Sequence, residues 1–174
     1  MQGSCIAPPG REKKKRRLEK LLEVSSEKYL IVPLLEAFEW FDSGLQNSLC
    51  EIGWPTTTRE ESMVMIHIIL GLTRPSDIAR ELGLSRQAVH VTVTNMSRKG
   101  ILELKPDKRD GRAKVVELTA KGKAMRKDAQ RISMLMFEQL AKRIGEKNVQ
   151  RLVHALTQDW GKAPTFDKHG NLIG

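Results

Sequence analysis

Apolar residues along the chain recur mostly at threes and fours, the spacing that places them on one face of a helix. Leu34, Phe38, Phe41, Leu45 and Leu49 predict a helix that starts near Pro33 and stops at Gly53. Proline suits a first helical turn, where its missing N–H has no partner to lose. Met63, Ile66 and Leu70 predict a second helix, closed at Gly71 and opened by Thr58 and Glu61 in the spacing of a capping box. The segment "TRPSDIARELG" (73–83) predicts a short third helix. Asp77 sits in its first turn, where the helix dipole favours an anion, and Gly83 allows a left-handed turn after it. "ILELKP" and "AKVVELT" read as short strands on either side of the charged turn "DKRDGR" (107–112). Met125, Ile132, Met136, Leu140 and Ile144 predict a long helix from Ala120 to about Gly145. Val149, Leu152, Leu156 and Trp160 predict another over 147–160, and residues 161–174 read as a tail.

One stretch, "GLSRQAVHVTVTNMSRKG" (83–100), is ambiguous. From Ala88 to Thr94 it is rich in β-branched residues, which favour a pleated strand. Yet about fifteen residues separate the turn at Gly83 from the stop at Gly100, too many for a usual strand. Val89, Val93 and Met96, with Thr92 alongside, line up at helical spacing. The expectation is a helix capped by Ser85, its apolar stripe facing Ile78, Ala79 and Leu82. Ala79 is small enough for a close crossing, and Leu84 is expected to plug the angle. Two helices joined by such a turn make a helix-turn-helix, and packing can outweigh the few tenths of a kcal/mol that each β-branched residue costs a helix.

Length and charge narrow the function. The chain has 174 residues, 40% of them hydrophobic, enough for one domain with extensions. Its net charge of +9 favours a polyanionic partner, nucleic acid first and an acidic membrane surface second. The segment "REKKKRRLEKLLEV" (11–24) concentrates this charge, with seven basic and two acidic residues from Arg11 to Lys20. It reads as a basic helix or as a solvated charged face, after a disordered lead over 1–10. The longest apolar run, "MVMIHIIL" (63–70), is too short for a membrane span. Cys5 and Cys50 fit no metal spacing and no disulfide framework, so both are expected as reduced thiols in the cytoplasm. No phosphate-cradling glycine loop, zinc-protease motif or nucleophile elbow is present, so the sequence offers no catalytic residues, cofactor site or metal site.

The face of the 83–100 helix turned from the core carries Ser85, Arg86, Gln87, His90, Val91 and Thr94. Donors, acceptors and methyl groups are mixed there over the N-terminal half of a helix, which is what reading base edges in a major groove requires. Arg86 can pair bidentately with guanine and Gln87 with adenine, and Val91 or Ala88 can touch a thymine methyl. The alternative is an ordinary solvent-facing surface. The charged hairpin that follows favours the first reading.

These residues, in this order, resemble the MarR-type winged helix-turn-helix regulators. The resemblance rests on "LGLSRQAV", the "KG" closing the helix, the wing "DKRDGRAK" and the "LTAKGKA" that opens the long helix. It spans roughly residues 33–160, with a DNA-binding core at 58–119, a basic extension at 1–32 and the tail at 161–174. It implies a mainly α fold: a winged helix-turn-helix with a two-stranded β wing and flanking dimerisation helices. It also implies a homodimeric, cytoplasmic transcription regulator that binds an inverted repeat in double-stranded DNA, and often a small-molecule effector. Carried over, the recognition residues are Ser85, Arg86, Gln87, His90 and Thr94. Lys108, Arg109 and Arg112 are the wing candidates, one arginine braced by Asp107 or Asp110. Lys99, Lys105 and Lys114 are phosphate candidates. The family commonly has Arg where this chain has Val91 and Asn95, so phosphate anchoring from the recognition helix is weaker or placed elsewhere. The effector pocket it implies has Trp40, Phe41, Met63 and His67 as candidates, with a core histidine and core aromatics as the competing reading. Two further functions stay open: an effector-independent architectural or constitutive DNA-binding protein, and a winged helix that docks on protein.

Overall fold

The computed structural model describes residues 30–107 and 110–173. The N-terminal lead, the basic segment 11–24, Cys5, Lys108 and Arg109 lie outside the described residues. The chain divides into two compact units, one up to Met134 and the other from Leu135.

In the first unit, α1 (Ile31–Glu51) begins two residues before the expected proline, which puts Pro33 inside the first turn. It closes through Gly53, whose positive φ lets Trp54 N–H return to the Leu49 carbonyl at 2.9 Å. Trp54 Nε1 then donates to Asp128 Oδ2 at 2.9 Å, tying this turn to the long helix. Cys50 is disulfide-bonded, which corrects the expectation of a reduced thiol at this position.

Helix α2 (Arg59–Ile69) opens with the expected capping box: Thr58 Oγ1 accepts from Glu61 N–H, and Glu61 Oε2 accepts from Thr58 N–H. Helix α3 (Pro75–Glu81) has proline at its first position, and α4 (Arg86–Arg98) is capped by Ser85, whose Oγ accepts from Ala88 N–H at 3.1 Å. The ambiguous stretch is therefore helical. Val89, Val93 and Met96 are fully buried, as are Ile78 and Ala79 on α3. Leu84 is not the expected plug. It is exposed, because Ile78, Ala79 and Val89 already fill the angle between the two helices.

After α4 come β1 (Leu102–Pro106) and β2 (Lys114–Leu118), antiparallel with Leu104 opposite Val116. Val116 N–H also donates to the Thr73 carbonyl at 2.8 Å, so the loop before α3 joins the free edge of β2. Ile101, Leu102 and Val116 are buried beneath the wing, completing one core with Val64 and the α3–α4 stripe.

Helix α5 (Ala120–Ile144) starts from a tight joint. Thr119 Oγ1 donates to the Gly100 carbonyl at 2.6 Å and accepts from Gly122 N–H at 3.0 Å. Gly122 is buried against the Ile101 carbonyl, and a Cβ there would lie 2.2 Å from that oxygen.

In the second unit, α6 (Glu146–Leu156) ends four residues before the expected Trp160. Trp160 folds back on the helix end instead, its Nε1 donating to the Ala155 carbonyl at 3.0 Å. The expected tail holds a small hairpin, with Phe166 paired to Leu172. Among the described residues no helix is long and apolar enough to cross a membrane, and no three His, Cys, Asp or Glu side chains form a group able to hold a metal ion.

Candidate nucleic-acid interface

The stripe that buries Val89, Val93 and Met96 turns the opposite side of α4 outward. Ser85, Arg86, Gln87, His90 and Val91 are all exposed there, within the first two turns. Val91 is 51% exposed although aliphatic, a methyl surface without a core role. Thr94 is half-buried, and its Oγ1 donates to the His90 carbonyl at 2.8 Å. Thr92 does the same to the Ala88 carbonyl at 3.0 Å. These back-bonds let threonines sit inside a helix without an unsatisfied hydroxyl. They also leave Thr94 with free lone pairs and no free proton, so it can accept but not donate.

The wing is built on Asp110 and Asp107. The Asp110 carboxylate accepts from Arg112 N–H at 3.2 Å, its carbonyl accepts from Ala113 N–H at 2.8 Å, and the Arg112 side chain stands exposed. The arginine held by Asp107 is Arg74, the N-cap residue of α3, through Nε at 2.8 Å and through Nη2. This fork holds the guanidinium charged above its ordinary range and fixes the wing base to the start of α3.

Of the phosphate candidates, two are engaged within the protein. Lys99 Nζ pairs with Glu61 and donates to the Thr56 carbonyl at 2.9 Å. Lys105 Nζ lies 2.9 Å from both Glu117 and Glu103, which together raise its pKa, Glu117 more. Lys114 is exposed on β2. Sequence reasoning missed Glu61 and Arg74 as partners. The capping box marked Glu61 as a cap, but its second role joins positions 38 residues apart.

A concavity of about 410 Å³ opens on this unit, lined by Phe38, Arg59, Glu60, Met63, Leu82 and Leu84. The Arg59 guanidinium stacks 4.8 Å from the Phe38 ring centroid. Of the expected effector residues, Met63 lines this space and the other three do not. Trp40 and Phe41 meet edge to face with centroids 4.8 Å apart, and His67 Nδ1 lies 2.8 Å from the Met63 carbonyl within α2.

Known proteins share this fold. Residues 57–113 match the model of the MarR family, covering α2 through the wing turn. Wild-type MarR from E. coli superposes with a TM-score of 0.60 at 19% identity, over 76% of this chain and 97% of that one. The chain has the MarR fold. The transcriptional regulator Tm0710 from Thermotoga maritima gives a TM-score of 0.52 at 20% identity, over 71% of this chain and 85% of its own. A MarR-family regulator from Rhodococcus sp. RHA1 gives 0.57 at 15% identity, over 76% and 92%. No curated protein matches the sequence. The mostly helical fold and the two-stranded wing are those expected, with α4 as the second helix of the helix-turn-helix.

Proposed function

We propose that this chain is a sequence-specific, dimeric DNA-binding transcription regulator whose binding responds to a small molecule. The observation that carries the reading is the division of α4. One side is fully buried by Val89, Val93 and Met96, and the other offers Arg86, Gln87, His90 and Val91 without a structural task. In the reading, α4 is the recognition helix and enters the major groove, with Ser85 and Thr94 at the ends of the contact row. Arg112, with Lys108 and Arg109, probes the adjacent minor groove, where a narrow negative cleft favours arginine. The operator is an inverted repeat read by a homodimer. The net charge of +9 supports a polyanionic partner. The effector site is the concavity at Met63, whose mostly apolar walls with one guanidinium, Arg59, and one carboxylate, Glu60, suit a small molecule of mixed polarity. Trp40, Phe41 and His67, the other expected effector residues, do not line it.

Selection of bound sequences from a random duplex pool, with affinity followed across salt, tests this. The expected result is an inverted repeat with half-sites about one helical turn apart. Recovery of no motif, with affinity collapsing as salt rises, supports an architectural DNA-binding protein instead. Absence of DNA binding at moderate salt supports a protein-docking module.

A further inference from the structure

The start of α5 carries its charges at the unfavourable end of a helix. From Ala120 to Arg131, five residues are cations, Lys121, Lys123, Arg126, Lys127 and Arg131, and one, Asp128, is an anion. No acid stands in the first turn. A helix N-terminus is the positive end of the macrodipole, so cations there are disfavoured. Lys123, Lys127 and Arg131 also follow one another at every fourth residue, which sets like charges side by side on one face. Gly122, Met125 and Ile132 bury the inner side of the helix, and all three members of the row are exposed.

Little inside the protein offsets this row. Asp128 Oδ2 accepts from Trp54 Nε1 at 2.9 Å, and its Oδ1 lies 3.6 Å from Arg131 Nη2, a long pair between solvent-facing groups. Lys121 Nζ reaches the Lys99 carbonyl at 2.9 Å, which leaves its charge unneutralised. Among the described residues, the side chains of Lys123, Arg126 and Lys127 make no hydrogen bond or ion pair. We infer that Lys123, Lys127 and Arg131 form a second contact surface for nucleic acid, a cation row that takes backbone phosphates whatever the base sequence. This contact rests on the DNA-binding reading above and extends it to a further face of the molecule.

Spacing selects the partner. Four residues advance about 6 Å along a helix, so the row spans about 12 Å. One strand of a duplex presents a phosphate about every 3.4 Å of its axis, so that length holds roughly three or four, one for each cation. A bilayer surface fits less well, because a helix lying on one needs large apolar side chains beside its cations. No large apolar residue is exposed from Ala120 to Arg131, where Ala124 and Gln130 stand between the cations. Position separates this contact from base reading. Lys121 meets the C-cap of α4, so the row begins at the rear of that helix. Helix α4 has 13 residues and is about 20 Å long, with Arg86 at its other end. The phosphates met by the row therefore lie outside the bases that Arg86 and Gln87 reach. An anion there also faces the positive end of the α5 dipole, which offsets the conflict that the cations create.

The test titrates the full chain and the triple variant Lys123→Gln, Lys127→Gln, Arg131→Gln with a mixed-sequence duplex at several salt concentrations. The triple variant is expected to bind at least about tenfold more weakly at low salt, with a salt slope lower by roughly 2 to 3. The variant Lys123→Arg, Lys127→Arg should keep the parent's slope. The sequence recovered from a random duplex pool should stay the same, because phosphate contacts carry no sequence information. The melting temperature of the triple variant should not fall, since its substitutions remove neighbouring like charges. A photo-cross-linker in place of Lys127 is expected to label the duplex. An unchanged slope in the triple variant, or no cross-link to DNA, overturns the contact and leaves the recognition-helix reading standing. An unchanged slope together with row-dependent binding to anionic lipid vesicles would assign the row to a membrane surface instead. A parent chain that binds no duplex overturns the DNA-binding reading itself.

Discussion

Glu61 and Lys99 join the first turn of α2 to the C-cap of α4 through an ion pair in which the Glu61 side chain is only 4% exposed. Glu61 is the one buried charged residue among those described. Its Oε2 serves both the capping box and the lysine. Lys121 Nζ, from α5, donates to the Lys99 carbonyl at 2.9 Å. The rear end of α4 is thus held from two sides, while the outward side of its front half is exposed.

Removing one member of a buried pair leaves the other charge without compensation. Lys99→Met is expected to lower stability in urea by about 2–4 kcal/mol, less than a fully buried pair because the lysine is partly exposed. Glu61→Gln keeps an acceptor for Thr58 N–H and should cost less, about 1–2 kcal/mol. A double-mutant cycle with additive effects would show that the two residues do not act together.

Gly122→Ala is expected to destabilise by about 2–4 kcal/mol, because the new Cβ meets backbone that cannot yield cheaply. Alanine's better helix propensity, near 1 kcal/mol, acts in the opposite direction and is outweighed. A thermal melt unchanged from the parent would contradict the close packing at Ile101.

Side chains that read bases and side chains that hold phosphates differ in their signature. Arg86→Ala is expected to cost about 1–3 kcal/mol of affinity and to relax selection at one base pair per half-site. Arg112→Ala should weaken binding by a similar amount, about 1–3 kcal/mol. Lys114→Ala should weaken all sequences alike and lower the salt slope by about 0.9 for each phosphate it no longer neutralises. Titrations against operator and scrambled duplexes at several salt concentrations separate these outcomes.

Asn171, through its side chain and then its backbone N–H, holds the Asp167 carboxyl below the usual carboxylate range. A depressed folded-state pKa contributes stability above the unfolded value, and that contribution disappears as pH falls through the folded one. Protection of the Ile173 amide in the hairpin should therefore persist at neutral pH and fall on strong acidification. Asp167→Asn should show weak protection at every pH. Acid-independent protection in the parent would remove Asp167 as the anchor.

Much of this architecture was legible because it depends on local rules. Capping at Thr58 and Ser85, glycine stops at Gly53, Gly83 and Gly100, and the 89–93–96 stripe each act within a few residues. Helical spacing outweighed the β-branched content of α4 once Thr92 and Thr94 could return their hydroxyls to the backbone. The exposed row on α4 followed from the same stripe. What escaped was long-range pairing: Arg74 with Asp107, Lys99 with Glu61, and Trp54 with Asp128. Each joins positions whose proximity exists only after folding. The hairpin at Asp167 was missed because its single pair of bridged residues is too short for a strand pattern.

The wing is fastened twice to the segment that begins α3, through Val116 to Thr73 and through Asp107 to Arg74. A two-stranded ribbon with one attachment can swing, whereas one bolted at edge and base turns only with its mount. The base of the wing and the helix-turn-helix are therefore expected to move together. On the proposed operator, any tilt that lifts α4 from one groove withdraws Arg112 from the next, and release from DNA becomes one event instead of two.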